Sequence, residues 1–404
     1  MKELQVIYDS QIFDAQTFGG ISRYFCEIIP RMNITFDISV RYSENIYLKE
    51  SKLCKHRLPI PRWIFNKYKN KLLGKNRKFS EHMLRSSSTY LLHATYYEPY
   101  FQEWLGNNPY VITVHDMIYE KLPEFFSKED RELIFEQKKK VVTQADRVIA
   151  ISQNTKKDII ELLHIAPEKI DVIYHGTNIQ KPTQKILVTL PKRFILYVGT
   201  RYSYKNFTRF AKAFSLLSSK DKDLYAICTG NPFSMNEIKI FESLNISPKF
   251  IHIQASDAML YTLYNQAEAF VFPSLYEGFG IPILEAYACL CPAIISNTSC
   301  FPEIAADAAA YFNPYSEIEI ADTIASVIYN PTLRTDLIHK GSEQIKLYSW
   351  EKAALQTEQV YFKALENKKQ IKMTSSPSVN AHFLIHSLSF SGKQHCRKAG
   401  CLCV

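Results

Sequence analysis

Short apolar runs and stretches of helical periodicity alternate along this chain from its first residues to about residue 364. In the first half, strands are predicted at 4–8, 35–40, 90–93, 110–114, 147–151 and 170–174, with helices at 20–32, 127–143 and 154–163. This is the βα alternation of a doubly wound sheet. The segment 176–191, containing Pro182, Thr183, Gln184 and Pro191, breaks the series and reads as a linker. A second series follows, with strands at 194–198, 225–229, 250–253, 269–272, 293–296 and 309–312. Asn206 and Ser256 stand where helix N-caps are wanted, and Ser349-Trp350 starts a last helix.

A chain of 404 residues is too long for one ordinary core. The expected α/β organisation is therefore a Rossmann-like doubly wound domain over 1–183, a second over 184–350, a helix over 351–366 and a disordered tail over 367–404. Two such domains in tandem leave a cleft between their strand ends, the edge where open α/β sheets bind ligands.

Composition narrows the setting. A chain 46% hydrophobic and 22% charged is of soluble globular type. It contains no apolar run of about eighteen residues, as a membrane-crossing helix would need. Its first residues enter a strand without a cleavable leader, so a cytoplasmic location is expected. The nine cysteines are odd in number and mostly lie in apolar segments, as reduced core residues would. His395, Cys396, Cys401 and Cys403 near the end fit no zinc spacing.

The net charge of +9 is concentrated in residues 49–85, where lysines and arginines are threaded with Trp63, Ile64, Phe65, Tyr68 and Leu72. On one helix, Ile64, Phe65, Tyr68 and Leu72 would share a face. That is the composition of a segment drawn to an anionic membrane surface, or of an ordinary helix whose aromatics pack inward. No nucleic-acid-binding module accompanies the charge, so no nucleic-acid partner is expected.

The residues able to do chemistry gather at strand ends. After the apolar run 269–272, Glu277, Gly278, Phe279 and Gly280 precede a helix with Pro282 in its first turn and Glu285 one turn further in. Amides freed at a helix start favour phosphate, and glycines let it approach. Carboxylates beside a phosphate site make sense if they accept from sugar hydroxyls, which points to a nucleotide sugar; an acidic helix start that complements the macrodipole is the plain alternative. The loop Gly199-Thr200-Arg201 to Lys205-Asn206 carries two cations able to clamp a diphosphate. Gly19 and Gly20 open a helix after the first strand, and His115-Asp116 end the strand 110–114, where His115 either meets a sugar or is a satisfied core residue. Asp221-Lys222-Asp223 has the form of a manganese-holding motif but precedes its strand, at the wrong edge.

Together these motifs resemble the retaining, nucleotide-sugar-dependent glycosyltransferases of family four, with the GT-B fold. The likeness covers about residues 4–364, and its most specific parts are Glu277 with seven residues before Glu285, and Phe301-Pro302-Glu303-Ile304-Ala305 followed by Asn313-Pro314. The resemblance implies that Glu285 accepts from the donor ribose and Glu277 from the transferred sugar. It implies that Arg201 and Lys205 hold the diphosphate, and that His115 lies beside the donor sugar. Gly20 would lie near the phosphates or the acceptor, and the amides around Phe279 and Gly280 would complete the phosphate cradle. The spacing around Arg201 is shorter than in some members. It further implies retention of anomeric configuration, no metal or other cofactor, a C-terminal helix crossing back, and a saccharide or lipid-linked acceptor in surface polysaccharide synthesis. A nucleotide-sugar epimerase and a non-catalytic sugar-binding subunit are the alternatives.

Overall fold

The computed structural model describes residues 4–375, apart from residues 88, 184, 185, 187 and 202. Among them, two six-stranded sheets account for the alternating pattern. The first contains β1 (Gln5–Tyr8), β2 (Thr35–Ile38), β3 (Leu91–Ala94), β4 (Tyr110–Val114), β5 (Arg147–Ala150) and β6 (Ile170–Val172), in the order β2-β1-β3-β4-β5-β6. The second contains β7 (Arg193–Tyr197), β8 (Leu224–Cys228), β9 (Phe250–His252), β10 (Ala269–Phe272), β11 (Ala293–Ser296) and β12 (Ala309–Phe312), in the order β12-β11-β10-β7-β8-β9. Every pairing is parallel. Strands such as β4 and β10 are buried at every position because helices cover both faces, so their sequences are continuous apolar runs.

Strand order fixes where ligands go. In the first sheet the chain runs outward from β1 to β2 and then returns past it to β3, which opens a crevice between the carboxyl ends of β1 and β3. In the second the reversal falls between β7 and β10. Both crevices are sites where open sheets bind ligands.

The last helix, Trp350–Ser375, returns to the first lobe. Trp350 and Tyr361 are buried in that lobe's core, and the Tyr361 hydroxyl meets the Tyr8 hydroxyl at 2.9 Å and His93 Nδ1 at 2.7 Å. The outgoing and returning chains cross backbone on backbone: a Cβ placed on Gly176 would stand 2.4 Å from the Trp350 amide nitrogen. The helix continues to Ser375, past the end expected at 366, because 367–375 carries lysine, glutamine and methionine with no proline before Pro377. The rest of the expected tail, with its cysteines and histidine, lies outside the described residues, and the expected domain boundary at 183/184 abuts undescribed positions.

The basic segment differs from the single amphipathic helix expected. Tyr68 leaves helical geometry (φ −116°, ψ 22°), dividing the segment into the helices Arg62–Lys67 and Lys69–Ser86. Phe65 and Leu72 are buried, whereas Trp63 is 67% exposed and Tyr68 46%. The expected apolar face is thus shared between core and surface. Asp221 accepts from Arg193 at 2.6 Å and from the Tyr329 hydroxyl at 2.7 Å, before β8 and away from the crevice, which makes it a structural residue.

Candidate active site

Two loops follow the strands that flank the second crevice. After β10, residues 273–280 lead to the helix Ile281–Ala288, with Pro282 in its first turn and Gly280 as N-cap at φ +95°, a left-handed geometry that glycine adopts without strain. The N–H groups of Phe279 and Gly280 make no hydrogen bond among the described residues. After β7, a short turn Ser203–Lys205 precedes the helix Phe207–Ser218. The Leu275 amide donates to the Tyr204 carbonyl at 2.9 Å, stitching the two loops together. Lys205 Nζ then meets Glu277 Oε1 at 2.6 Å. Asn206 occupies the N-cap position but does not cap as expected: at φ 58° its side-chain amide instead donates to the Pro314 carbonyl at 2.7 Å. That contact explains why Asn313-Pro314 belongs with the loop. From below, the buried Cys300 thiol donates to the carbonyls of Glu277 and Phe279 at 3.2 and 3.1 Å.

The same loop is pressed against the first lobe. A Cβ on Gly278 would lie 1.8 Å from the His115 carbonyl oxygen, so two backbones touch there. Ser152 Oγ donates to the Gly278 carbonyl at 2.8 Å, and the Tyr276 hydroxyl donates to Asp158 Oδ2 at 2.7 Å. Glu303 accepts from the amides of Gln153 and Asn154 at 2.6 and 3.0 Å, satisfying the start of a first-lobe helix, Gln153–Leu163. The Phe301-Pro302-Glu303 motif is therefore part of the lobe junction.

Glu285, one turn into its helix, is 5% exposed. Burial pushes its carboxyl above the ordinary carboxylate range, while Arg23 and Tyr264 pull it partway back. Arg23 reaches it across the cleft at 3.6 Å from the helix Gly20–Ile28, and the Tyr264 hydroxyl donates to it at 3.3 Å. Gly20 therefore opens the helix that faces Glu285, and a Cβ there would meet nothing within 4 Å. Arg23 received no role from the sequence; it lies in the glycine-led run, but only the docking of the lobes brings it to Glu285.

His115 follows β4 at 6% exposure, its ring edge-on to Tyr24 and its Nε2 without a partner among the described residues. Burial lowers its pKa to about 3, so the imidazole is neutral at pH 7 and offers a hydrogen bond rather than a charge. His175, which the sequence did not single out, is buried beside it with Nδ1 unpartnered, and its ring lies 4.9 Å from that of Phe279. The Phe279 side chain thus packs against the first lobe.

Arg201 is not positioned as expected. Its side chain is 4% exposed, sits near the rings of Phe207 and Phe233, and donates through Nε to Glu237 at 2.5 Å. Its remaining nitrogens donate to the carbonyls of Thr229, Asn231 and Pro232. A guanidinium with these partners braces the loop after β8. The cation facing the crevice is Lys205.

Known proteins resemble this chain in sequence and in fold. Residues 18–181 match the family profile described as Glycosyltransferase Family 4, and residues 179–344 match that described as Glycosyl transferases group 1. O-antigen chain mannosyltransferase B of Escherichia coli is 26% identical over 69% of this chain and 75% of its own length. O-antigen chain mannosyltransferase RfbU of Salmonella typhimurium is 30% identical over 59% of this chain and 65% of its own length, just short of two thirds. Among solved structures, WaaG, titled a glycosyltransferase involved in lipopolysaccharide biosynthesis, superposes with a TM-score of 0.65 at 13% identity over 89% of this chain and 99% of that one. At that identity the likeness concerns the fold. The epimerase alternative finds no support in these comparisons. Two adjoining profiles spanning most of the chain, on a pair of facing parallel sheets, place it among the family 4 glycosyltransferases of GT-B type.

Proposed function

We propose that the protein is a retaining hexosyltransferase that moves a sugar, mannose being the first to try, from a nucleoside diphosphate to a saccharide or lipid-linked acceptor in surface polysaccharide synthesis. The observation that carries this reading is the Lys205–Glu277 pair at the β7/β10 crevice, beside the amides of Phe279 and Gly280, which make no hydrogen bond among the described residues. Lys205 and those amides receive the charge that grows on the departing diphosphate, while Glu277 and Glu285 accept from sugar and ribose hydroxyls. The bond from C1 to the phosphate oxygen breaks, and the acceptor oxygen bonds C1 on the same face. The acceptor's proton passes to the departing phosphate. No side chain forms a covalent bond, and the chain's part is positioning and charge stabilisation. The names of the two O-antigen mannosyltransferases support the choice of sugar and pathway.

The same reading dispenses with a metal, because Asp221 of the acidic motif is occupied by Arg193 and Tyr329 away from the crevice. The test is a panel of nucleoside diphosphate sugars, read by thermal shift and by turnover with and without a chelator. A cognate donor that stabilises the protein and turns over with chelator present is expected. No shift with any donor would end the proposal, and turnover lost to the chelator would end its metal-free part.

Membrane association is the second element of the proposal. No helix among the described residues is long and apolar enough to cross a membrane. Exposed Trp63 and Tyr68 lie among Lys67, Lys69, Lys71 and Lys75, a surface suited to the headgroup region of anionic lipid. Replacing those four lysines by alanine is expected to abolish co-sedimentation with vesicles containing phosphatidylglycerol, since each contributes about 1 kcal/mol near such a surface. Unchanged sedimentation would refute a membrane role for the segment.

A further inference from the structure

A cavity of about 540 Å³ opens at the other crevice, between the carboxyl ends of β1 and β3. Ser10 and Asp14 line it from the chain after β1, Tyr96 and Glu98 from the chain after β3, and Gly74 and Arg77 from the helix Lys69–Ser86. One layer of side chains separates it from His115: the Tyr96 ring packs 4.6 Å from that of the buried Tyr97, whose hydroxyl accepts from the His115 amide at 3.3 Å.

Gly74 is the informative residue. It lies inside an eighteen-residue helix, where glycine costs about 1 kcal/mol relative to alanine. Packing does not require it, because an added Cβ would meet nothing within 4 Å. The absent side chain leaves the cavity's wall open.

The lining selects a ligand class. Glu98 is paired with Arg77 at 2.5 Å, so their charges offset each other. Burial raises the Asp14 carboxyl to about 7, with the charges of Asp9 and Glu98 adding to the rise, while Ser10 Oγ and Asn76 Nδ2 hydrogen-bond to it at 2.7 and 2.6 Å. The result is a wall of low net charge with hydroxyl, amide and carboxyl groups beside tyrosine. Such a surface disfavours phosphate next to two acids and suits neutral, hydroxyl-rich sugar rings.

We propose that this cavity is a saccharide subsite, taking the uncharged sugar chain of the acceptor past the open face at Gly74. The inference rests on the glycosyl-transfer reading for its role, and its test is independent of turnover. The probe is α-linked mannotriose, followed by saturation-transfer NMR and titration, with maltotriose as the comparison sugar. Gly74→Phe is expected to weaken trisaccharide binding at least tenfold while nucleoside diphosphate binding stays unchanged. Gly74→Ala, which adds only a methyl group, is expected to keep most of the binding and to raise the melting temperature slightly, which controls for folding of the helix. Equal affinity in the wild type and Gly74→Phe, or no binding of either trisaccharide by the wild type, would overturn the subsite. A wild type that binds trisaccharide in a Gly74-dependent way yet transfers sugar from no nucleoside diphosphate donor would uphold the subsite and refute the transfer reading alone.

Discussion

Glu277→Gln is expected to lower turnover by a factor of about a hundred or more, with little change in melting temperature. The carboxylate lies 2.6 Å from Lys205 Nζ, and glutamine keeps an oxygen there that accepts from the ammonium while removing the charge. The Glu277 main chain is held separately, by its amide donating to Ser299 Oγ at 3.2 Å and by Cys300 donating to its carbonyl. Changing the side chain therefore leaves the loop in place. Glu277 holds the sugar and orients Lys205, which stabilises the developing anion, and loss of one such stabilising interaction costs about 3 kcal/mol, roughly a hundredfold in rate. Lys205→Ala should fall by a similar factor. Because the two act as a unit, the double variant should be little worse than either single one, whereas independent groups would give the product of the two losses. Steady-state kinetics on the three variants decides it. Full activity in Glu277→Gln would remove the pair from the chemistry.

The second large effect is expected from Gly278→Ala, one methyl group placed where two backbones meet. Its Cβ would stand 1.8 Å from the His115 carbonyl oxygen, and neither partner is a flexible side-chain tip. The loop or the end of β4 must move by more than an ångström, and the contacts beside it, Ser152 to the Gly278 carbonyl and Tyr276 to Asp158, would stretch with it. Transfer is expected to fall at least a hundredfold, since donor groups in the second lobe lose their register with those in the first. Each lobe retains its own core, so calorimetry should show the single unfolding transition broaden or divide rather than disappear. Gly20→Ala is the control: nothing lies within 4 Å of its added carbon, and the melting temperature should hold. Wild-type activity in Gly278→Ala would mean that the lobes tolerate separation during catalysis.

Much of the fold was legible because the signals for it are local. The run 269–272 reads as a buried strand from four apolar residues, and Pro282 after Gly280 marks the following helix start from two. The loops after β7 and β10 were picked out by glycines, cations and acids at a strand end, and the topology then set them beside one another at a reversal of strand order. The departures have equally physical causes. Arg201 and Lys205 look alike on a loop, but only Arg201 lies within reach of Glu237 and the carbonyls of 229–232, thirty residues on, which consume its donors. The basic segment reads as one amphipathic helix, yet the break at Tyr68 sends Phe65 and Leu72 to the core and leaves Trp63 and Tyr68 outside.

What the chain determines by itself is the succession of elements, the acids and cations carried on their connecting loops, and the glycines that let backbone approach a ligand. These depend on propensities and turn chemistry spread over a few neighbouring residues. Pairing was decided by tertiary structure: Lys205 with Glu277, Arg23 with Glu285, Glu303 with the start of a helix in the other lobe, and Gly278 against His115. Such contacts join positions from 72 to more than 250 residues apart. The first depends on the strand order that sets β7 beside β10 within the second lobe, and the other three on how the two lobes settle on one another; no local periodicity carries either kind of information.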